Sequence, residues 1–127
     1  MTALRVAIGL IGHQGRYFLQ RRDPAAVVLP GVWEFPGGKL KPRESPLDGL
    51  LRELREELDW SPEAVSPLPR IRHAYPDREV ELHPFLCRGT LPAGVRLAWG
   101  WFTPGEMSRL ILPEANAPLI DILGNEI

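Results

Sequence analysis

Residues 38–60 read GKLKPRESPLDGLLRELREELDW, a glycine-led loop running into a short acidic helix. Ser45 is a good N-cap, Pro46 suits the first helical position, and Asp48 completes a weak capping box with the serine. Leu47, Leu50, Leu51, Leu54 and Leu58 recur at helical spacing, which predicts one buried stripe. Glu53, Glu56 and Glu57 fall on an arc of roughly 100° beside that stripe. Glu44 precedes the cap, where the chain can fold back toward the same arc. Glu53 and Glu57 are a like-charged i,i+4 pair, a cost that burial beside leucines increases. Arg52 can bridge to Glu56 but cannot neutralise four carboxylates. Such an all-oxygen donor set suits Mg²⁺ or Mn²⁺. Gly49 costs about 1 kcal/mol in a helix relative to alanine, and its missing side chain is expected to leave room for a large ligand.

The chain has 127 residues, 44% hydrophobic and 24% charged, as expected of one globular domain spanning 1–127. A formal net charge of −1 leaves no electrostatic footprint for a nucleic acid polymer. The single Cys87 excludes an internal disulfide and fits a reducing cytosol, so the expected location is the cytoplasm. Residues 3–11 are apolar but too short to span a membrane, and no signal-peptide pattern is evident.

Leu4–Ile11 is almost continuously apolar, the mark of a strand covered on both faces. His13-Gln14-Gly15 reads as a turn and Arg16–Arg22 as the returning strand. Val32–Phe35 is a short strand leading into Pro36-Gly37-Gly38. Residues 61–69, with three prolines, read as a loop. Ile71–Tyr75 and Arg78–Cys87 read as strands joined by Tyr75-Pro76-Asp77-Arg78, with Pro84 marking a bulge or an edge. Val95–Phe102 is the last strand. Thr103 and Glu106 form a capping box for a helix to about Leu112, and Pro118–Leu123 is a terminal helix. This order predicts an α/β protein with a mixed sheet and helices on its faces.

Gly38, Glu44, Arg52, Glu53, Leu54, Glu56, Glu57 and Trp60 resemble the signature box of the Nudix hydrolases. That pattern is Gly, five residues, Glu, seven residues, then Arg-Glu-apolar-any-Glu-Glu-any-Gly-apolar. Four further stretches resemble the MutT-like branch, which hydrolyses oxidised purine nucleoside triphosphates such as 8-oxo-dGTP. They are Gln20-Arg21-Arg22, Trp33-Glu34-Phe35-Pro36-Gly37-Gly38-Lys39, Tyr75-Pro76-Asp77-Arg78 and residues 112–120. The resemblance implies a Nudix-type α/β/α sandwich and Mg²⁺-dependent hydrolysis of a nucleoside triphosphate to monophosphate and pyrophosphate. It implies that the Gly37 carbonyl and the carboxylates of Glu53, Glu56 and Glu57 hold the metal while Arg52 orients the glutamates. Lys39 would meet phosphate, Arg22 and Arg78 base or phosphates, and Asn116 the purine edge. Tyr75 would line the base pocket, and Glu34 also belongs with the substrate-binding residues.

Several of these residues have plainer readings. Asn116 also stands where it would cap the terminal helix, and Arg78 where it would be a solvated turn residue. Tyr75, Trp33, Trp99 and Trp101 fit a core role as well as a stacking one. His13, His73 and His83 show no ligand spacing and read as structural, and Cys87 as an inert core thiol. Two positions depart from the family pattern. Asp59 stands for the box glycine, in a left-handed turn that aspartate tolerates. Residues 90–100 carry no acid where relatives often have a glutamate. The catalytic base is therefore open between Glu53 and Glu56, with Glu34 and Glu44 behind them. The expected partner is a small nucleotide, with neither a nucleic acid polymer nor a membrane, and the chain acts as a monomer or homodimer. The alternatives are another nucleotide substrate, such as CTP or dCTP, or a non-catalytic nucleotide-sensing module of a larger protein. Such modules usually have eroded boxes, whereas all four glutamates are present here.

Overall fold

The structure is a computed structural model, describing residues 3–25, 31–92, 95 and 98–125. Strand β1 (Leu4–His13) is buried from Ala7 to Ile11, and alternation along it divides the core in two. Ala7 and Ile11 pack with Leu50, Leu54, Leu58, Phe85 and Cys87 on one face. Ile8 and Leu10 pack with Leu19, Leu82, Met107, Leu119 and Leu123 on the other. Helices therefore cover both faces of a mixed sheet, the expected α/β/α sandwich.

β1 turns back into β2 (Arg16–Arg21) through Gln14 and Gly15, both with positive φ (51° and 77°), the conformation a two-residue hairpin turn requires. β2 pairs with β3 (Trp33–Glu34) and β8 (Trp99–Phe102). Antiparallel β4 (Gly37–Lys39) lies beside β1, and β7 (Arg78–Arg88) pairs with it in parallel from Leu4↔Val80 to Ile11↔Cys87. Beyond β7 lie β5 (Ala64–Pro67) and β6 (Ile71–Tyr75). Ile71 pairs with Leu82 but Pro67 with Phe85, so Leu68, Pro69 and Arg70 stand opposite only His83 and Pro84. That is the expected bulge: Pro84 contributes only its carbonyl, which accepts from the Leu68 N–H at 2.9 Å.

Two strands run where the sequence predicts loops. β4 is glycine-rich and has no strand propensity; its pairing with β1 imposes the conformation. A Cβ at Gly37 would lie 2.1 Å from the Ala7 carbonyl oxygen, so only glycine permits this approach. β5 is an edge strand, which tolerates its proline. Of the expected last strand, residues 93, 94, 96 and 97 lie outside the described residues; β8 covers the remainder from Trp99.

Helix α1 (Pro46–Leu58) begins at the expected cap, with Ser45 Oγ accepting from the Asp48 N–H at 3.1 Å, but the return bond to the Asp48 carboxylate that would complete the expected box is not formed. It ends at Asp59 in the left-handed conformation (φ 50°, ψ 45°), where the Asp59 N–H donates to the Arg55 carbonyl. Leu50, Leu54 and Leu58 are fully buried, but Leu47 is 43% exposed. Leu51 is half-buried, so three of the five leucines that the spacing predicts form the buried stripe. Helix α2 (Pro104–Met107) has the reciprocal Thr103–Glu106 capping box but stops well before Leu112. Beyond it the Ile111 carbonyl accepts from the Trp33 N–H at 3.0 Å, and Pro113 disfavours helix at Leu112. A 3-10 turn (Glu114–Asn116) leads into helix α3 (Ala117–Asn125). No helix among the described residues is long and apolar enough to cross a membrane.

Candidate active site

Arg52 ties the loop ahead of α1 to the helix itself. Its Nε and Nη2 donate to the two oxygens of Glu44 at 2.8 Å each. Nη1 donates to Glu53 at 2.9 Å and to Glu56 at 3.3 Å, and Nη2 also reaches the Lys39 carbonyl at 3.1 Å. Glu44 further accepts from the Lys41 N–H at 2.9 Å. Arg52 and that backbone donor hold the Glu44 carboxyl down at about 2. Glu44 and Glu53 in turn raise the affinity of Arg52 for its proton.

Two glycines make this packing possible. A Cβ at Gly38 would come within 2.6 Å of the Glu53 carboxyl, so this glycine lets the helix carboxylate lie against β4. A Cβ at Gly49 would lie 2.2 Å from Leu40 Cδ2 and 3.0 Å from Glu44 Oε1. The space at Gly49 is thus filled by Leu40 and Glu44, not reserved for a ligand as the sequence reading expects.

Glu57 is in a different position. It is largely buried, and burial above all, with the like charges of Glu53 and Glu34, pushes its carboxyl up to about 7. A hydrogen bond from Gln20 Nε2 at 2.6 Å and one from the Gly37 backbone oppose the shift without cancelling it. Burial also raises Glu34, countered by Arg22 at 3.6 Å. Negative charge is therefore uncompensated at Glu57, and an added cation would relieve it. Among the described residues no three acidic, histidine or cysteine side chains are grouped as a finished metal shell. The fit to a divalent cation rests on the charge at Glu57 and the all-oxygen chemistry of its neighbours. Glu53 shares that field, whereas Glu56 stands at the exposed edge with Arg52.

A cavity of about 420 Å³ opens beside Glu57. Its floor is the shared face of β1 and β7: Leu4, Val6, Ile8, Val80 and Leu82. The strand order β4-β1-β7-β6 sets its walls. Glu34, Gly37, Gly38, Lys39 and Glu57 lie toward β4, with Arg22. Tyr75, Arg78, Pro113, Ala115 and Asn116 lie toward β6. Thus all six substrate-binding residues expected from the sequence, Arg22, Glu34, Lys39, Tyr75, Arg78 and Asn116, line one cavity. Glu44, Arg52, Glu53 and Glu56 are not among its walls.

Asn116 is 6% exposed, and among the described residues no hydrogen bond of its carboxamide is formed. No capping bond from it to the terminal helix is formed, and since no buried side-chain polar atom among the described residues lacks a partner, its carboxamide is open to the cavity. The Arg78 guanidinium lies 5.1 Å from the Tyr75 ring centroid and 3.2 Å from Asp77, its side chain still partly in solvent. Trp33 packs on Phe102 and Trp101 on Phe18, each half-buried against the core, whereas Trp99 stacks on Phe18 but remains 49% exposed. Cys87 is buried and its thiol pushed up to about 12, as an inert core thiol should be. The sequence reading assigns Gln20 no role of its own. The signal available is a polar side chain after Phe18 and Leu19 in a buried run, and it lies 5% exposed against Glu57.

Residues 6–121 match the family model of the NUDIX domain. The CTP pyrophosphohydrolase of Escherichia coli (strain K12) is 33% identical over 124 residues, covering 95% of this chain and 91% of that protein. The 8-oxo-dGTP diphosphatase of the same organism is 30% identical over 127 residues, covering 94% and 95%. The solution structure of the E. coli ORF135 protein superimposes with a TM-score of 0.80 at 32% identity, covering 98% and 91%. The chain belongs to the Nudix hydrolase family, on its MutT-like branch. Members of this family generally use a divalent metal ion.

Proposed function

We propose that this protein hydrolyses a nucleoside triphosphate to the monophosphate and pyrophosphate with Mg²⁺ as cofactor, Mn²⁺ being able to replace it. We further propose that oxidised purine deoxynucleotides such as 8-oxo-dGTP are its preferred substrates, met in the free cytoplasmic pool. One observation carries the reading. A buried carboxylate in need of a cation and a carboxamide with no protein hydrogen-bond partner, open to the cavity, stand on opposite walls of one nucleotide-sized cavity.

Glu57 and Glu53, with Glu56 and the Gly37 carbonyl, are the residues to hold the ion. When bound, it offsets phosphate charge and makes a nearby water more acidic. Arg52 keeps Glu53 and Glu56 in place through three carboxylate contacts, Glu44 being its anchor. Held at about 2, Glu44 is a poor proton acceptor at neutral pH, which leaves Glu53 and Glu56 as the first candidates for the base and Glu34 behind them. Lys39 and Arg22 meet the phosphates and offset the charge that builds on the departing pyrophosphate. Asn116 reads the base edge, and the apolar floor excludes water beneath the base.

A second reading, a pyrimidine triphosphate such as CTP as substrate, is favoured by the similarity to the CTP pyrophosphohydrolase over 95% of this chain. Pyrophosphate release with Mg²⁺ over 8-oxo-dGTP, dGTP, CTP and dCTP tests both. We expect kcat/KM for 8-oxo-dGTP to exceed that for dGTP by at least about tenfold. CTP turned over best replaces the first reading with the second. Release from none of them overturns both.

A further inference from the structure

The turn that carries Asn116 is short, and its own backbone bonds leave one buried N–H without an acceptor within it. It is a three-residue 3-10 segment, a conformation with weak hydrogen-bond geometry, closed by the Asn116 N–H donating to the Pro113 carbonyl at 2.9 Å and the Ala117 N–H donating to the Glu114 carbonyl. The Ala115 N–H has no partner within the turn, as expected at a helix start, and Ala115 is only 3% exposed. Tyr75 supplies the missing acceptor: its hydroxyl oxygen takes that N–H at 3.2 Å across forty residues of chain. The ring is itself fixed from two sides. The His73 imidazole packs edge-on at 4.6 Å, and the Arg78 guanidinium lies 5.1 Å from the ring centroid. His73 shares a strand face with Tyr75, and its Nε2 meets Glu114 of the same turn at 3.3 Å.

We infer that Tyr75 is a positioning residue whose hydroxyl, by accepting from the Ala115 N–H, holds the Asn116 carboxamide at the angle that recognises the base. This rests on the reading above in which Asn116 contacts the nucleobase. The phosphates and the metal-binding residues lie on the far wall, so the hydroxyl acts on nucleotide affinity and not on the chemical step. Glu114 is 78% exposed, so its contact with His73 is the minor tether.

The test is steady-state kinetics on 8-oxo-dGTP and CTP with wild type, Tyr75→Phe, Asn116→Ala and the double variant. For the better of the two nucleotides, Tyr75→Phe is expected to raise KM about fivefold with less than twofold loss of kcat. Asn116→Ala raises KM further. The double variant is no worse than Asn116→Ala alone, because the hydroxyl has nothing left to position. Additive effects, or a fall in kcat as large as the rise in KM, overturn the positioning role. An effect of Asn116→Ala with none from Tyr75→Phe overturns it while sparing base recognition. No effect from either variant removes base recognition by Asn116 and the positioning role with it. Amide hydrogen exchange reports independently of any substrate. Tyr75→Phe must speed exchange at Ala115 about fivefold while the β1 amides remain protected, and unchanged exchange at Ala115 refutes the inference.

Discussion

Replacing Glu57 by glutamine should stabilise the metal-free protein while destroying its activity. Folding moves this carboxyl from its ordinary 4.5 to about 7, chiefly because burial penalises its charge. At about 1.36 kcal/mol per tenfold change in proton affinity, that displacement is worth about 3 kcal/mol. The folded state holds this proton more tightly than the unfolded chain. Stability therefore falls as pH rises from about 4.5 to about 7 and stays low above that. Glutamine keeps the shape, is always neutral and can still accept from Gln20. Urea unfolding in EDTA should find the two proteins nearly equal at pH 5, and Glu57→Gln more stable by about 2–3 kcal/mol at pH 8. Adding Mg²⁺ at pH 8 should raise the stability of wild type more than that of the variant, since a ligand stabilises the state it binds. A stability difference between the two proteins that is the same at both pH values would falsify the assignment of buried, uncompensated charge to Glu57.

Two other substitutions probe the supports of the site. Arg52→Lys keeps the charge but loses the fork that reaches Glu44, Glu53 and Glu56 together. We expect activity to fall about 10- to 100-fold with little change in far-UV circular dichroism, and full activity would show that the guanidinium geometry is dispensable. Gly49→Ala improves helix propensity by about 1 kcal/mol, yet the new methyl must displace Leu40 Cδ2 from 2.2 Å. Overpacking costs about 1–3 kcal/mol, so the net expectation is a loss of up to about 2 kcal/mol and with it a lower Tm, and a raised Tm would mean the loop yields freely.

Local chemistry was the most readable part of the chain. The start of α1 at Ser45 and its end at Asp59 depend on residues within one turn of each boundary, and both stand as read. So does the turn at Gln14-Gly15, where Gly15 suits its positive φ and Gln14 takes the other at a steric cost. Features set by distant partners were not readable. Gly37–Lys39 is a strand because β1 runs beside it, not because glycine favours strands. Leu47 repeats the helical spacing of its neighbours yet lies 43% exposed, since period tells direction and not how far the sheet extends beneath. Gln20 and Glu57 meet across 37 residues, and Tyr75 and Ala115 across 40, with no local sign of either contact.

The order of residues between Gly38 and Trp60 is enough to establish a capped acidic helix, its loop and the family to which the chain belongs. It leaves Glu53, Glu56 and Glu57 equivalent, three carboxylates on one arc. Packing makes them different: Glu56 faces water, Arg52 partners Glu53, and β2 and β4 close over Glu57 and push its carboxyl up to about 7. Desolvation depends on what surrounds a group in space, and at Glu57 those surroundings come from strands remote in the chain.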